Sequence, residues 1–149
     1  MNKTLTLGFK FKYGLADMGF ALLTSAMQFF LLFYYTDVAG INPALAGAAL
    51  MVGKLTWDAI NDPLFGYLSD RTRSRFGRRR VYMLLGAVPL GIAAWVMFSL
   101  PKGLTGATAF LAVLLSFWLV DTFHTITTTP YYALTPELTR DYNERASLT

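Results

Sequence analysis

Four apolar segments of at least 20 residues each dominate this chain of 149 residues: 13–36, 44–69, 81–100 and 107–134. An α-helix needs about 20 apolar residues to cross a hydrocarbon core about 30 Å thick, so each segment is long enough to span a membrane. A soluble domain of this length builds one core and has no use for four such runs. The predicted fold class is therefore an all-α membrane protein with four transmembrane helices.

Basic residues lie almost entirely on one side of these segments. Three Lys precede the first segment, six Arg separate the second from the third, and two Arg follow the fourth. The other two loops together hold only Lys102, and Lys54 lies inside the second segment. Because cytoplasmic loops carry an excess of Lys and Arg, the pattern predicts a multi-pass protein of the plasma (inner) membrane. Both termini, the loop 70–80 and the tail 135–149 would then be cytoplasmic, and the positive net charge does not indicate a nucleic-acid partner.

Polar and ionisable residues interrupt the apolar segments. They are Asp17 in the first, Lys54, Asp58, Asn61 and Asp62 in the second, and Asp121, His124, Thr125 and Thr128 in the fourth. A charged residue at the centre of a membrane helix costs about 2.5–3.5 kcal/mol, so these groups should face a bundle interior or a water-filled cavity. Spacings of three and four residues put each set on one helix face. We therefore predict one cavity shared by segments one, two and four.

Pro63 adds a backbone oxygen to this set. It has no N–H, so the carbonyl of Ala59 loses its usual partner beside Asp58. Carboxylates, an amide oxygen and a free carbonyl suit a hard cation such as Na⁺, or a relayed proton. Alternatively, Lys54 and Asp58 form a structural ion pair and Pro63 only kinks the helix. Beyond a coupling cation, the chain suggests no metal site and no cofactor.

The residues 57–63 (WDAINDP) and 66–80 (GYLSDRTRSRFGRRR) closely resemble the glycoside–pentoside–hexuronide:cation symporters, a melibiose permease-like branch of the major facilitator superfamily. The segments 34–38 (YYTDV) and 130–136 (PYYALTP) match other parts of that family. The resemblance implies a cation-coupled secondary transporter and not an enzyme, with a sugar or glycoside as substrate. The polar groups in the apolar segments include no activated nucleophile, so they do not indicate catalysis.

The resemblance also implies roles for individual residues. Asp58 and Asp62 would bind the coupling ion, which is Na⁺ or H⁺ with Li⁺ as a further candidate. Asn61 would tune the choice of cation, Thr125 would lie near the same site, and Tyr132 would line the sugar site.

The arginine-rich loop resembles the cytoplasmic loop between helices two and three of the superfamily. Asp70, Arg71 and Arg78 would there form charge contacts that hold an inner gate. The alternative is that the loop only sets the topology.

Several positions depart from melibiose permease. The sugar-binding carboxylates of that transporter align with Ala21 and Thr128, so a melibiose-like substrate is not implied. Thr128 and Asp17 remain candidates for substrate contact, although Asp17 could instead pair with a cytoplasmic arginine.

Three further groups are candidate charge partners. Lys54 could neutralise Asp58 until a cation displaces it. His124 could relay protons, or it could pack as a satisfied pair beside Asp121.

The chain holds four of the twelve helices that the superfamily arranges in two halves. We interpret it as the N-terminal part of a symporter, a truncated gene product or an incomplete record. Its partners would be the lipid bilayer, a small-molecule substrate and the C-terminal helices of the same transporter. The alternatives are a lysolipid-type symporter of the same fold and a free-standing four-helix membrane protein that binds or scaffolds without transport.

Overall fold

The computed structural model describes residues 6–72 and 80–138. Its α-helical segments are α1 (Leu7–Phe33), α2 (Pro43–Gly53), α3 (Ala59–Arg71), α4 (Arg80–Met97) and α5 (Gly106–Leu138). A π-helical turn over Tyr34–Val38 extends α1, and another over Lys54–Asp58 joins α2 to α3. The segments thus form four rods, and no strand occurs within the described ranges. The predicted all-α fold is confirmed.

The helices extend beyond some of the predicted apolar spans. α1 begins at Leu7, before position 13, and α5 continues to Leu138, into the segment predicted as tail. Apolar length marks only the part of a helix that crosses hydrocarbon, whereas backbone hydrogen bonds carry the helix onward through polar residues. The predicted loop 70–80 is also too wide, because Asp70 and Arg71 still belong to α3 and Arg80 opens α4. Residues 73–79 and 139–149 of the predicted loop and tail lie outside the described residues.

The loops after α1 and α4 lie at the same end of the bundle. The backbone N–H of Gly103 donates to the carbonyl of Ala39 at 3.4 Å, and the Tyr34 hydroxyl donates to the carbonyl of Leu100 at 3.3 Å. Asn42 caps α2 by accepting from the N–H of Ala44 at 2.9 Å, with Pro43 in the first turn. A short polar cap followed by proline is a common helix start, so this boundary could be predicted from the sequence.

α5 is the central rod and packs against α2, α3 and α4. Small residues allow the close approach. A Cβ on Gly53 would lie 2.9 Å from the ring of Phe117, and one on Gly86 would collide with the hydroxyl of Thr127. Tyr35 is fully buried beside α5, where its hydroxyl lies 3.1 Å from that of Ser116.

Two stretches are long and apolar enough to cross a membrane by length and composition, Lys10–Val38 and Gly106–Ala133. The apolar stretch Val81–Met97 in α4 is shorter. Large apolar side chains on the outer faces are exposed, including Trp95 and Val88 of α4 at 70% each. Apolar faces of this extent need lipid tails or further helices to cover them. They agree with a protein that lies in a membrane.

The contact between Gly86 and Thr127 predicts a packing effect. Gly86→Ala should lower the thermal unfolding temperature, because overpacking a close contact costs about 1–3 kcal/mol. Gly91→Ala in the same helix is the matched control, since a Cβ there meets nothing within 4 Å. Both proteins would be unfolded in detergent by a temperature ramp. Equal unfolding temperatures for the two variants would contradict this account of the α4–α5 contact.

Candidate cation site

A π-helical turn includes Lys54 and Asp58 of the second rod as its first and last residues. Lys54 is exposed on an open pocket of about 570 Å³ that Asp58 also lines. Within the described part of the chain, no ion pair joins these two side chains. The alternative of a structural Lys54–Asp58 ion pair is therefore not formed in this conformation, and the carboxyl group of Asp58 also lies near Asp121.

The second and fourth rods meet through polar side chains. The Nδ2 of Asn61 donates to Oδ2 of Asp121 at 2.8 Å. One turn along α5, the hydroxyl of Thr125 donates to Oδ1 of Asp62 at 3.0 Å. The prediction that segments two and four bring their polar groups together is confirmed by these two contacts.

Oxygen atoms dominate this contact region. The carboxyl group of Asp58 lies near that of Asp121. Asn61 is only 1% exposed, and its Oδ1 has no hydrogen-bond partner. Pro63 lies within α3, where its ring nitrogen cannot donate to the carbonyl of Ala59. Carboxylate, amide and carbonyl oxygens are the ligands that hard cations prefer.

The acidic side chains alone do not complete a metal site. Among residues 6–72 and 80–138, no group of three His, Cys, Asp or Glu side chains is arranged to hold a metal ion. A cation here would need neutral oxygens as well, and Asn61 and Thr125 supply them. Asp62 is exposed, so one side of the set stays open to a ligand that enters from outside these four rods.

Asp17 belongs to a second polar group, near the start of α1 and the end of α5. The hydroxyl of Tyr132 donates to Oδ1 of Asp17 at 3.1 Å. Next to this pair, Tyr13 and Tyr131 stack with ring centroids 4.4 Å apart, and each hydroxyl donates to the other residue's carbonyl. The expectation of one cavity shared by three rods is thus corrected. The first rod contacts the tyrosines of α5, whereas the second rod contacts Asp121 and Thr125 of α5.

His124 and Thr128 also differ from their predicted environments. The Nε2 of His124 lies 3.4 Å from the hydroxyl of Thr24 in α1, and its ring meets the edge of Phe20. Asp121 bonds to Asn61 instead, so a packed His124–Asp121 pair is wrong. Residues three apart in a helix point about 60° apart, and these two consequently face different neighbours. Thr128 is buried and its hydroxyl donates to the carbonyl of His124 at 2.8 Å, which leaves it closed to substrate in this conformation.

The predicted gate residues are only partly described. Arg71 donates to the hydroxyl of Tyr67, and its guanidinium lies 5.7 Å from the centre of that ring. This contact stays within α3. Arg78 lies outside the described residues, and of Asp70 only the helical backbone is described, so the inner gate stays a prediction.

A tryptophan contact beside the candidate cation site has no counterpart among the sequence predictions. The Nε1 of Trp57 donates to the hydroxyl of Thr122 at 2.8 Å, and its ring stacks on Trp118 at 5.0 Å between centroids. Both contacts join the π turn to α5, one residue from Asp58 and Asp121. The sequence does contain a signal for this contact, because a tryptophan in an apolar segment usually places its indole N–H against an acceptor.

Comparison with known proteins identifies the class to which this fold and site belong. A family described as MFS/sugar transport protein matches residues 12–149. The chain belongs to this family of major facilitator transporters, and the resemblance to the glycoside–pentoside–hexuronide:cation symporters is confirmed.

Several named relatives cover almost all of the chain. An uncharacterized symporter of Synechocystis sp. is 47% identical over 93% of the chain. The isoprimeverose transporter of Lactiplantibacillus pentosus is 32% identical over 93%. Sodium-dependent lysophosphatidylcholine symporter 1 of Mus musculus is 34% identical over 99%. The matches cover 26%, 29% and 28% of these relatives, so the chain spans less than a third of their length.

The tryptophan contact predicts a stability effect. Trp57→Phe keeps an aromatic ring against Trp118 but removes the donor to Thr122, so it should destabilise the protein by about 0.5–1.5 kcal/mol. Trp95→Phe is the matched control, because Trp95 is 70% exposed on the outer face of α4. Chemical or thermal unfolding of both variants measures the difference. A loss no greater in Trp57→Phe than in the control would show that the hydrogen bond does not anchor the π turn.

Proposed function

We propose that this chain forms the N-terminal part of a cation-coupled symporter, and that α3 and α5 hold its coupling cation. The observation that carries the proposal is the contact between these helices. Asn61 and Asp62 meet Asp121 and Thr125 there, and a buried amide oxygen remains without a partner. Asp58 and Asp62 supply the charge, and Asn61 and Thr125 supply neutral oxygens.

The position of these groups suits symport. Transporters of this superfamily bind substrate near the middle of the membrane, between two halves, and alternate access by moving one half against the other. A cation shifts that equilibrium only by the difference in its affinity for the two conformations. Ligands that come from two different rods can provide such a difference, since a small shift of α3 along α5 separates them. The pairing of oxygens across two helices is thus a site that movement can open or close.

Na⁺ is the coupling ion that we favour over H⁺. A proton needs one carboxylate, whereas a metal ion needs several oxygens at once. The set around Asn61 offers several, and a related mouse symporter is named as sodium-dependent.

We propose a sugar or glycoside as the substrate, contacted in part by Asp17 and Tyr132. Tyr132 is 55% exposed, and its hydroxyl already bonds to the carboxylate of Asp17. Carboxylates accept hydrogen bonds from hydroxyl groups, and aromatic rings offer an apolar face. The isoprimeverose transporter among the relatives supports this class of substrate. A lysolipid is the second candidate, because the relatives named as lysophosphatidylcholine symporters are equally similar to the chain.

A free-standing four-helix scaffold is the competing proposal. It would have to cover its exposed apolar faces with lipid or with copies of itself. Finding the coding sequence in frame beyond Thr149 would support the symporter, whereas a defined homo-oligomer of the 149-residue chain would support the scaffold.

The cation site is tested by direct binding of radioactive Na⁺ to the purified complete transporter. Asp58→Asn and Asp62→Asn should each weaken Na⁺ binding by more than about 100-fold, since even outer-shell partners of bound metal ions are worth 10–100-fold. Asp37→Asn is the control, because Asp37 is an exposed acid in the turn that ends the first rod. Na⁺ binding that survives in both site variants would end the proposal.

We also propose that both termini are cytoplasmic, and cysteine labelling tests this orientation. The chain has no Cys, so Arg75→Cys and Lys102→Cys can each introduce a single target. Lys102 suits this purpose better than its neighbour Gly103, whose φ of +85° disfavours a side chain. A membrane-impermeant maleimide added to intact cells should label Lys102→Cys and spare Arg75→Cys. The reverse pattern would show that the orientation is inverted.

A further inference from the structure

Asp121 is the one acid of the α3–α5 contact that the proposed function does not use as a ligand. It is 9% exposed in the middle of α5, and its Oδ2 accepts the hydrogen bond from Nδ2 of Asn61 at 2.8 Å. The other end of the same amide is the buried Oδ1 without a partner. One side of Asn61 is therefore tightly held, while the other side is left unsatisfied.

This arrangement determines which way the amide faces. Asp121 is the acceptor in this hydrogen bond, so an amide turned by 180° would set its oxygen against an acceptor atom. Asp121 thereby holds Oδ1 on the side away from itself. A buried oxygen without a donor costs about 1–3 kcal/mol, and such an atom in a folded protein calls for an explanation. A cation that enters the site would satisfy it.

We infer that Asp121 is a positioning residue for the coupling ion: it orients the Asn61 amide so that Oδ1 is presented to a Na⁺ bound by Asp58 and Asp62. The inference rests on the proposed function and adds a specific role to it. Without Asp121 the amide is free to rotate and to offer its N–H groups to the cation, which repels them. Since Asp121 acts through Asn61, its removal should matter only while Asn61 is present.

Two properties of the Asp121 side chain guide the choice of variants: it accepts a hydrogen bond from Asn61, and it carries a carboxyl group. Asp121→Asn keeps an oxygen that accepts from Asn61 and removes the charge. Asp121→Ala removes both the oxygen and the charge. Comparing the two variants therefore separates the effect of the hydrogen bond with Asn61 from the effect of the charge on Asp121.

The test measures stabilisation of the purified complete transporter by Na⁺, because a ligand that binds only the folded state raises the unfolding temperature. NaCl is titrated against choline chloride at constant ionic strength, so that only specific binding contributes. Asp121→Ala should raise the Na⁺ concentration for half-maximal stabilisation by about 10–100-fold, the usual effect of losing an outer-shell partner. Asp121→Asn should stay close to the parent protein.

A double-mutant cycle with Asn61→Ala provides a readout that a merely structural role would not give. If Asp121 acts through Asn61, adding Asp121→Ala to Asn61→Ala should weaken Na⁺ binding no further. Asp121→Ser replaces the alanine variant if the latter does not fold, since its hydroxyl is too short to reach Asn61 in the same way. Thr108→Val, at the other end of α5, is the control for substitution in this helix.

The outcomes separate the inference from the proposed function. Equal losses in Asp121→Asn and Asp121→Ala would overturn the inference, because the charge and not the hydrogen bond would then matter. No loss in either variant, or additive losses in the cycle, would overturn it too. In all three cases Na⁺ would still stabilise the parent protein, and Asp58→Asn would still abolish the effect. A parent protein that Na⁺ does not stabilise would overturn both the inference and the cation site.

Discussion

The contact between α3 and α5 is the interaction on which the rest of this structure depends. Asn61 and Asp62 on one helix reach Asp121 and Thr125 on the other, in a chain that is otherwise apolar through most of its helical length. In hydrocarbon, every polar group that lacks a partner costs several kcal/mol, so the buried side chains of Asn61, Asp121 and Thr125 have to lie where polar partners meet them. The second rod, which carries the most charge, thus has to lie beside the fourth.

The other contacts of α5 serve to hold that arrangement. Gly53 and Gly86 let α2 and α4 approach α5 closely, and Trp57 anchors the π turn to Trp118 and Thr122. π turns are frequently found at functional sites, where they redirect the residues that follow. Here the turn ends at Asp58, so the segment that carries the proposed cation ligands starts from a well-anchored point.

The two polar groups of the bundle are chemically distinct. The α3–α5 contact consists of acids, an amide and a threonine, whereas the group at the end of α1 and α5 combines Asp17 with tyrosines. α5 contributes to both, and a rigid helix can couple them mechanically. α5 therefore connects the proposed cation site with the proposed substrate contacts.

The sequence by itself determined the class of the protein and the main pairing of its helices. Apolar length predicted four helices, Asn42 and Pro43 predicted the start of α2, and the cost of buried charge required segments two and four to share their polar faces. The motif around Asp58 and Asp62 also indicated the family. These features are local, or follow from one strong energetic rule, and no knowledge of neighbouring helices is needed to recognise them.

Only the tertiary structure decided which partner each polar side chain takes. Spacing predicted pairs between Lys54 and Asp58 and between His124 and Asp121. Lys54 and Asp58 line one pocket without forming an ion pair, whereas His124 contacts Thr24 of α1 and Asp121 accepts from Asn61 of α3. Asp17 likewise meets Tyr132, which follows it by 115 positions. Helical periodicity says which residues share a face within one rod. It does not say which rod that face meets, because this depends on packing between segments far apart in the chain.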